Sequence, residues 1–348
     1  PVTLSRARLA AAGGTAVVVN SGQANAATGV RGDEDAHAIT EAAARELGLD
    51  PVDVLACSTG VIGEPVHMPE LLAALPGVAA SISDEGGAAF AASIMTTDTV
   101  SKMEVADAGP YRVGGAAKGV GMISPNLATM LAFVSTDAPV AREHLAALVR
   151  DRLASAFNAI TVDASTSTND TVLLFASGAA GGTPVAPGTA AWDALASAIG
   201  TVGTSLASQL IHDAEGLTTV TLVQVEGALS DEDARRVAKA IADSPLVKTA
   251  VFGSDPNPGR ILQAVGSSGV DVEPSRIDVW IGDVEVARAG VIPPAYFTAG
   301  GLRASAEAAM QGPEVALRVR IGDGAGSSRV LGCDLTYDYV KINGEYTT

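Results

Sequence analysis

The sequence predicts a mixed α/β (α+β) protein of two domains, and three observations carry that expectation. Short Val-rich apolar runs, too short for independent helices, alternate with Ala-rich and amphipathic helical stretches over most of the chain. From Asp278 the pattern changes to short alternating strands separated by turns, which reads as an antiparallel sheet. The composition is 47% hydrophobic but only 4% aromatic, so the core must be tightly packed layers of Ala, Val, Leu and Ile. A chain of 348 residues is long enough for two domains. The expected division is 1–227 and 228–348, with the seam near Gly227.

Taken in order, Thr15 to Asn20 is a buried strand by its Val run, and it opens into a polar loop from Asn20 to Gly29. Asp33 to Leu49 reads as an amphipathic helix whose opening acids suit the positive end of the helix dipole. Val52 to Cys57 is a second buried strand running into Ser58–Gly63. Met68 to Ile82 and Glu85 to Met95 read as Ala-rich helices. Glu104 to Gly115 suggests a hairpin around Ala108-Gly109-Pro110. Ala141 to Ile160 has helical spacing of Leu145, Leu148, Val149 and Leu153. Thr189 to Asp213 is helical with an expected break at Gly200–Gly203. Thr218 to Val225 is a strand, and Ser230 with three following acids has the composition of a helix start. Gly322 to Gly326 reads as a hairpin turn, not a phosphate loop.

Charge and composition exclude some functions. The formal net charge is −17 and the 22 basic residues form no run, which argues against nucleic acid as a partner. Two cysteines, Cys57 and Cys333, make no disulfide framework and sit in apolar contexts. The four His and two Cys show no ligand spacing, so no metal is expected. No basic leader and no unbroken apolar run of 18 residues is present, and a soluble, cytoplasmic protein with no membrane partner is expected.

One stretch organises the chain, Lys118 to Ala138. Residues 118–126 are small and Gly-rich and end in Ser-Pro-Asn, which is loop chemistry. Residues 129–134 form an apolar run that reads as a buried strand. Thr129 sits where the loop becomes the strand. Taken alone it is a β-branched residue in its preferred place, and a Thr hydroxyl is a poor nucleophile without a base. The motif around it, G-M-x-x-P-N-L-A-T-M-L, resembles the processing site of the glutamate N-acetyltransferase (ornithine acetyltransferase) family of arginine biosynthesis. N-S-G-Q-A-N-A-A-T-G at 20–29, S-T-G-V-I-G at 58–63, S-T-N-D-T-V at 167–172 and the long stretch from Ser244 to Ile261 resemble the same family.

The resemblance implies a layered αββα-type sandwich like the N-terminal-nucleophile folds, with a smaller C-terminal α+β domain. It implies self-cleavage between Ala128 and Thr129, which frees Thr129 as an amino-terminal nucleophile. Thr59 and Gly60 match the oxyanion motif. Thr96, Lys118, Glu215, Asn343 and Thr348, with Thr129 itself, match the substrate-binding positions. The implied activity moves acetyl from N-acetylornithine to glutamate by ping-pong chemistry, with acetyl-CoA as a further candidate donor and no cofactor. The implied partners are the two cleaved fragments themselves, two copies of each. Some positions depart from the pattern. Gln23, Ala214 and Thr219 stand where Asn, Gly and Lys are common, Pro258 replaces a usual Trp, and the lead-in before the N-S-G motif is shorter than usual. Two other readings compete: an amidohydrolase of related fold that passes the acyl group to water, and a binding paralogue that keeps the fold without the chemistry.

Overall fold

The computed structural model describes residues 1–11, 14–124 and 130–345. Ala128, Thr129 and Thr348 lie outside the described residues. The chain divides into two compact units. Among the described residues, one comprises Pro1–Asn158 and Thr166–Leu210, and the other comprises Ala159–Ser165 and 211–345.

The elements of the first unit are α1 (Val2–Ala11), β1 (Ala16–Gln23), α2 (Gly29–Leu47), β2 (Val54–Val61), α3 (Met68–Ala80), α4 (Gly87–Ser93), β3 (Lys102–Ala108), β4 (Tyr111–Lys118), β5 (Leu131–Thr136), α5 (Arg142–Leu148), α6 (Ala154–Phe157), β6 (Thr171–Ala176) and most of α7 (Ala190–His212). β1 and β2 form a parallel two-stranded sheet, and β3-β4-β5-β6 form a four-stranded sheet in that order. The expected hairpin is β3–β4, with Ala108 opposite Tyr111 across a two-residue turn and Gly109 at φ 70°. The single helix expected over 141–160 is α5 and α6 joined by a π-helical stretch, Val149–Leu153.

The two sheets share one core. Leu55 and Cys57 of β2 pack with Leu131 and Phe133 of β5 and Leu173 of β6, joined by Val17 and Val19 of β1. Phe90 meets Phe133 edge to face at 5.1 Å. The outer face of β1–β2 is covered by α2 and α3, through Ala43, Ala44, Leu71 and Leu75. The outer face of the larger sheet is covered by α7. A Cβ on Gly115 would come within 2.9 Å of Val202 and Leu206, so glycine lets that helix lie close to the sheet. Helix, sheet, sheet, helix is the layered αββα arrangement expected.

α7 corrects one expectation. It is unbroken through Gly200 and Gly203. A Cβ on Gly203 would press on Leu153, so this glycine serves close helix packing rather than a break. By length and composition alone α7 would also suit a membrane span. Here Leu195, Ile199, Val202, Leu206 and Leu210 are all fully buried within the protein, as in a core helix.

The second unit holds β7 (Val220–Ala228), α8 (Asp231–Asp243), α9 (Pro245–Phe252), α10 (Pro258–Gly266), β8 (Asp278–Ile281), β9 (Val284–Ala287), α11 (Leu302–Ala309), β10 (Glu314–Arg320), β11 (Gly326–Cys333) and α12 (Tyr337–Glu345). β7 belongs wholly to this unit, so the division lies earlier than the position expected near Gly227. Ser230 caps α8 as expected, its hydroxyl accepting from the Asp233 N–H at 3.1 Å. Pro258 occupies the first turn of α10 behind the Asn257 cap, where its missing N–H costs nothing.

The sheet order is β11-β7-β10-β8-β9. β10 pairs parallel with β7, so the sheet is mixed rather than purely antiparallel. Gly322–Gly326 is therefore not a hairpin turn, because β7 lies between β10 and β11. The loop instead crosses the end of β7, with the Gly324 N–H donating to the Gly227 carbonyl at 3.0 Å. A Cβ on Gly227 would collide with the Gly322 backbone, and Gly227 has φ 80°.

Candidate active site

Thr59 and Gly60 close the β2 strand, opposite Ser21 and Gly22 of β1. The outer edge of β2 can be read from its partners. The Asp53 and Val61 carbonyls face β1 and its flanks, accepting from the Thr15 and Ala24 N–H groups. The Val54, Ala56 and Ser58 carbonyls face away and accept from Arg8, Ser5 and Asn169. Peptide alternation then turns the Gly60 N–H to that outer edge, away from β1. Gly60 has φ 121°, and a Cβ there would collide with the Gly22 carbonyl. Glycine is thus required at this position on both steric grounds.

Lys118, at the end of β4, is 4% exposed. Its ammonium donates to the Thr59 hydroxyl at 3.1 Å and to the Thr96 hydroxyl at 2.7 Å. A hydroxyl that accepts from an ammonium keeps its own proton to donate elsewhere. Three of the residues singled out from sequence, Thr59, Thr96 and Lys118, are therefore in direct contact although 59 positions apart in the chain at their widest.

Beneath them lies a group the sequence reading passed over. Asp98 is buried and accepts from Lys102 at 2.7 Å, from the Gly119 N–H at 2.7 Å and from the Thr96 N–H at 3.2 Å. Its second oxygen is 3.8 Å from Lys118. Burial pushes this carboxyl up, but Lys118, Lys102 and the Gly119 amide outweigh it and hold it below the usual carboxylate range. Two ammonium groups thus face the Asp98 carboxylate.

Asn169 ties the site loops together, its amide donating to the Ala24 and Ser58 carbonyls. Asp170 is next to it. Both of its carboxyl oxygens are buried without a well-formed hydrogen bond, although the Met130 backbone amide acts on the carboxyl as a donor. Burial drives its pKa up to about 8, against the opposing pull of the Met130 amide and Lys118. A raised carboxyl favours the folded state most below its unfolded pKa of about 3.9, and that contribution is lost as pH rises through about 8. In the uncut chain, urea midpoints should therefore fall between pH 4 and 8 relative to Asp170→Asn, which keeps a neutral isostere. Parallel midpoints for the two proteins across that range would contradict this.

The second unit brings together Glu215 and Asn343. The Asn343 amide donates to the Glu215 carboxylate at 2.9 Å. Gly216, at φ 67°, lets the chain turn tightly beneath α12, where a Cβ would strike the Tyr339 nitrogen. Tyr339 donates to Asp163 at 3.1 Å, and burial followed by the Asp163 charge raises its phenol. Thr219, one of the departures, is held by Asp334, which accepts from its N–H at 3.2 Å.

The sequence model of the ArgJ family matches residues 1–348. The chain belongs to the ArgJ family. An arginine biosynthesis bifunctional protein ArgJ of Symbiobacterium thermophilum is 45% identical over 352 residues, covering 100% of this chain and 86% of that protein. The protein of the same name from Rhizobium meliloti is also 45% identical, covering 99% of this chain and 84% of the relative. A crystal structure of arginine biosynthesis bifunctional protein ArgJ from Bacillus halodurans is 39% identical, with TM-score 0.58, covering 63% of this chain and 100% of that one. Membership in the ArgJ family bears out the resemblance read from the motifs, the fold class and the acetyltransferase class of enzyme.

Proposed function

We propose that this ArgJ-family chain cuts itself between Ala128 and Thr129 and then moves acetyl from N-acetylornithine to glutamate through an acetyl-Thr129 ester. The observation that carries this reading is the Thr59–Thr96–Lys118 cluster, in which the buried Lys118 ammonium joins the buried Thr59 hydroxyl to the exposed Thr96 hydroxyl, on the strand edge that also carries the Gly60 N–H. Thr129 is tied to this group by sequence alone. Met130 follows it directly, and the next residue, Leu131, pairs with Lys118 across β4 and β5.

Before the cut the Thr129 nitrogen is an amide and cannot act as a base. Afterwards it is an α-amine with a reference pKa of about 7.7–8.0, suited to take the hydroxyl proton of its own residue. The Thr129 oxygen attacks the acetyl carbonyl of N-acetylornithine. The Thr59 hydroxyl and Gly60 N–H stabilise the oxyanion. Ornithine leaves, glutamate enters, and its amine takes the acetyl group from the ester. Both amino acids carry an α-carboxylate, for which the Lys118 ammonium is a suitable counter-ion. Glu215 is proposed to hold the substrate ammonium, and Asn343 and Thr348 are proposed as further substrate-binding residues. Acetyl-CoA as a second donor, two copies of each fragment in the assembly and a cytoplasmic setting belong to the same reading.

Intact mass spectrometry tests it. Incubation with N-acetylornithine should add one acetyl group to a fragment of 220 residues that begins at Thr129, and glutamate should remove it. An acetyl group that appears only as free acetate would favour the hydrolase reading. No mass change would favour the binding paralogue. Repeating the incubation with acetyl-CoA decides the second donor.

A further inference from the structure

The helix α12 buries no side chain completely, and Tyr337 and Val340 on it are exposed. At 9 residues it is also shorter than a helix that holds together alone in water, which takes about 12–15. Besides an edge contact of Tyr337 with Phe252 at 5.5 Å, it is fastened by polar bonds from Thr336, Tyr339 and Asn343. Their spacing of three and four residues puts all three on one face.

Thr336 is buried just before the helix. Its hydroxyl accepts from the Tyr339 N–H at 3.0 Å, which caps the helix, and donates to the Gly216 carbonyl at 2.7 Å. Gly216 directly follows Glu215. One hydroxyl thus joins the helix that carries Asn343 to the turn that carries Glu215. Tyr339, one turn before Asn343, donates its phenol to Asp163. Asp163 is a firm anchor, because its stretch is bonded to β11 by the Thr161 N–H to the Leu331 carbonyl at 2.9 Å and by the Leu331 N–H to the Ala159 carbonyl at 2.8 Å. The Asn343 amide nitrogen donates to the Tyr339 carbonyl at 3.1 Å as well as to Glu215. A carboxylate only accepts, so the amide must present its nitrogen to Glu215.

We propose that Thr336 and Tyr339 are positioning residues that hold Glu215 and Asn343 as a clamp for the side-chain ammonium of the acetyl donor, and that the clamp serves the donor half of the transfer alone. This rests on the ammonium-holding role of Glu215 proposed above. In N-acetylornithine the α-nitrogen is an amide, so the side-chain ammonium is its one cation. Glutamate carries a carboxylate at that end, and a second carboxylate repels it. A carboxylate held in place binds an ammonium better than a mobile one, because its freedom is already lost before binding. Loosening α12 lets Glu215 move and withdraws that gain from the donor only.

In ping-pong kinetics kcat/KM for each substrate reports its own half of the reaction. Self-cut wild type, Glu215→Gln, Tyr339→Phe, Thr336→Val and Thr336→Ser are assayed for N-acetylglutamate formation while each substrate is varied in turn. Tyr339→Phe and Thr336→Val should lower kcat/KM for N-acetylornithine by about three- to tenfold and leave kcat/KM for glutamate within about twofold of wild type. Thr336→Ser keeps the hydroxyl and should retain most of the wild-type value. Damage to the fold would instead lower both values together, and a denaturing gel with a thermal midpoint tells whether each variant is cut and folded. Where Thr336→Val does not fold, Tyr339→Phe, which removes a single oxygen, decides the matter. A loss for glutamate as large as that for N-acetylornithine, or no loss in Tyr339→Phe where Glu215→Gln shows one, overturns the inference and leaves the role of Glu215 standing. An unchanged kcat/KM for N-acetylornithine in Glu215→Gln, or no transfer by wild type, overturns that role and the inference with it.

Discussion

Thr129→Ala is expected to give a single uncut chain of 348 residues with no measurable acetyl transfer. The substitution removes the oxygen that attacks in both reactions, and no other hydroxyl among the described residues is bonded through one residue to the start of β5. Loss of a nucleophile typically lowers turnover by about 10³-fold or more. The uncut chain also keeps the residue 129 nitrogen as an amide, so the base is lost along with the nucleophile. Thr129→Ser should separate these effects. It retains an oxygen, so it should cut and transfer, though more slowly because Ser lacks the methyl group that restricts the rotamer. Gel, intact mass and an assay of N-acetylglutamate formation check all three statements. Normal transfer by Thr129→Ala would remove Thr129 from the mechanism.

The second large effect is expected at Asp98. Replacing it by Asn leaves the Lys102 ammonium, fully buried, and the Lys118 ammonium, nearly so, without their shared carboxylate. Breaking a buried ion pair from one side costs about 3–5 kcal/mol. For a unit of this size, the midpoint of thermal unfolding should drop by on the order of 10 °C. Transfer should fall as well, because Lys118 loses the partner that fixes it against Thr59 and Thr96. The pH dependence has the opposite sign to that of Asp170. A depressed carboxyl contributes stability above its unfolded pKa, and that contribution is lost as pH falls through the lower folded value. Acid unfolding of wild type should therefore show a loss that Asp98→Asn does not. An Asp98→Asn protein with wild-type midpoints across the acid range would show that the two lysines need no common counter-ion.

Much of this site could be read from the residues, because its parts sit at strand ends. Gly60 stood out as a strand-end glycine, and the structure gives it a positive φ and no room for a side chain. Thr59, Thr96 and Lys118 came from motif resemblance, and they meet because β2 and β4 deliver them to one place. Asp98 and Asp170 carried a weaker signal. Each stood in a hydroxyl-rich stretch where an acid ordinarily satisfies its own backbone, and only burial from distant elements makes either one special. The fold was least legible where the partner lies far away in sequence. Gly322–Gly326 looks like a turn between neighbours until β7 is found between the two strands. Gly200 and Gly203 look like breakers, yet the helix runs through both, and at Gly203 the neighbouring Leu153 needs the space.

The β4–β5 ladder, from Val113 opposite Thr136 to Lys118 opposite Leu131, has a consequence for the cut protein. The break proposed at Ala128–Thr129 falls in the connection between these strands, so one contiguous sheet comes to be shared by two polypeptides. Neither piece can depart without tearing that ladder and opening the aromatic contact of Phe90 with Phe133, which lie on opposite sides of the cut. Dilution alone should not part them. After full denaturation, however, recovery would require two separate molecules to find each other. Renaturation of mature protein should then be second order and concentration-limited, whereas the unbroken Thr129→Ala chain should regain its shape at a rate indifferent to concentration.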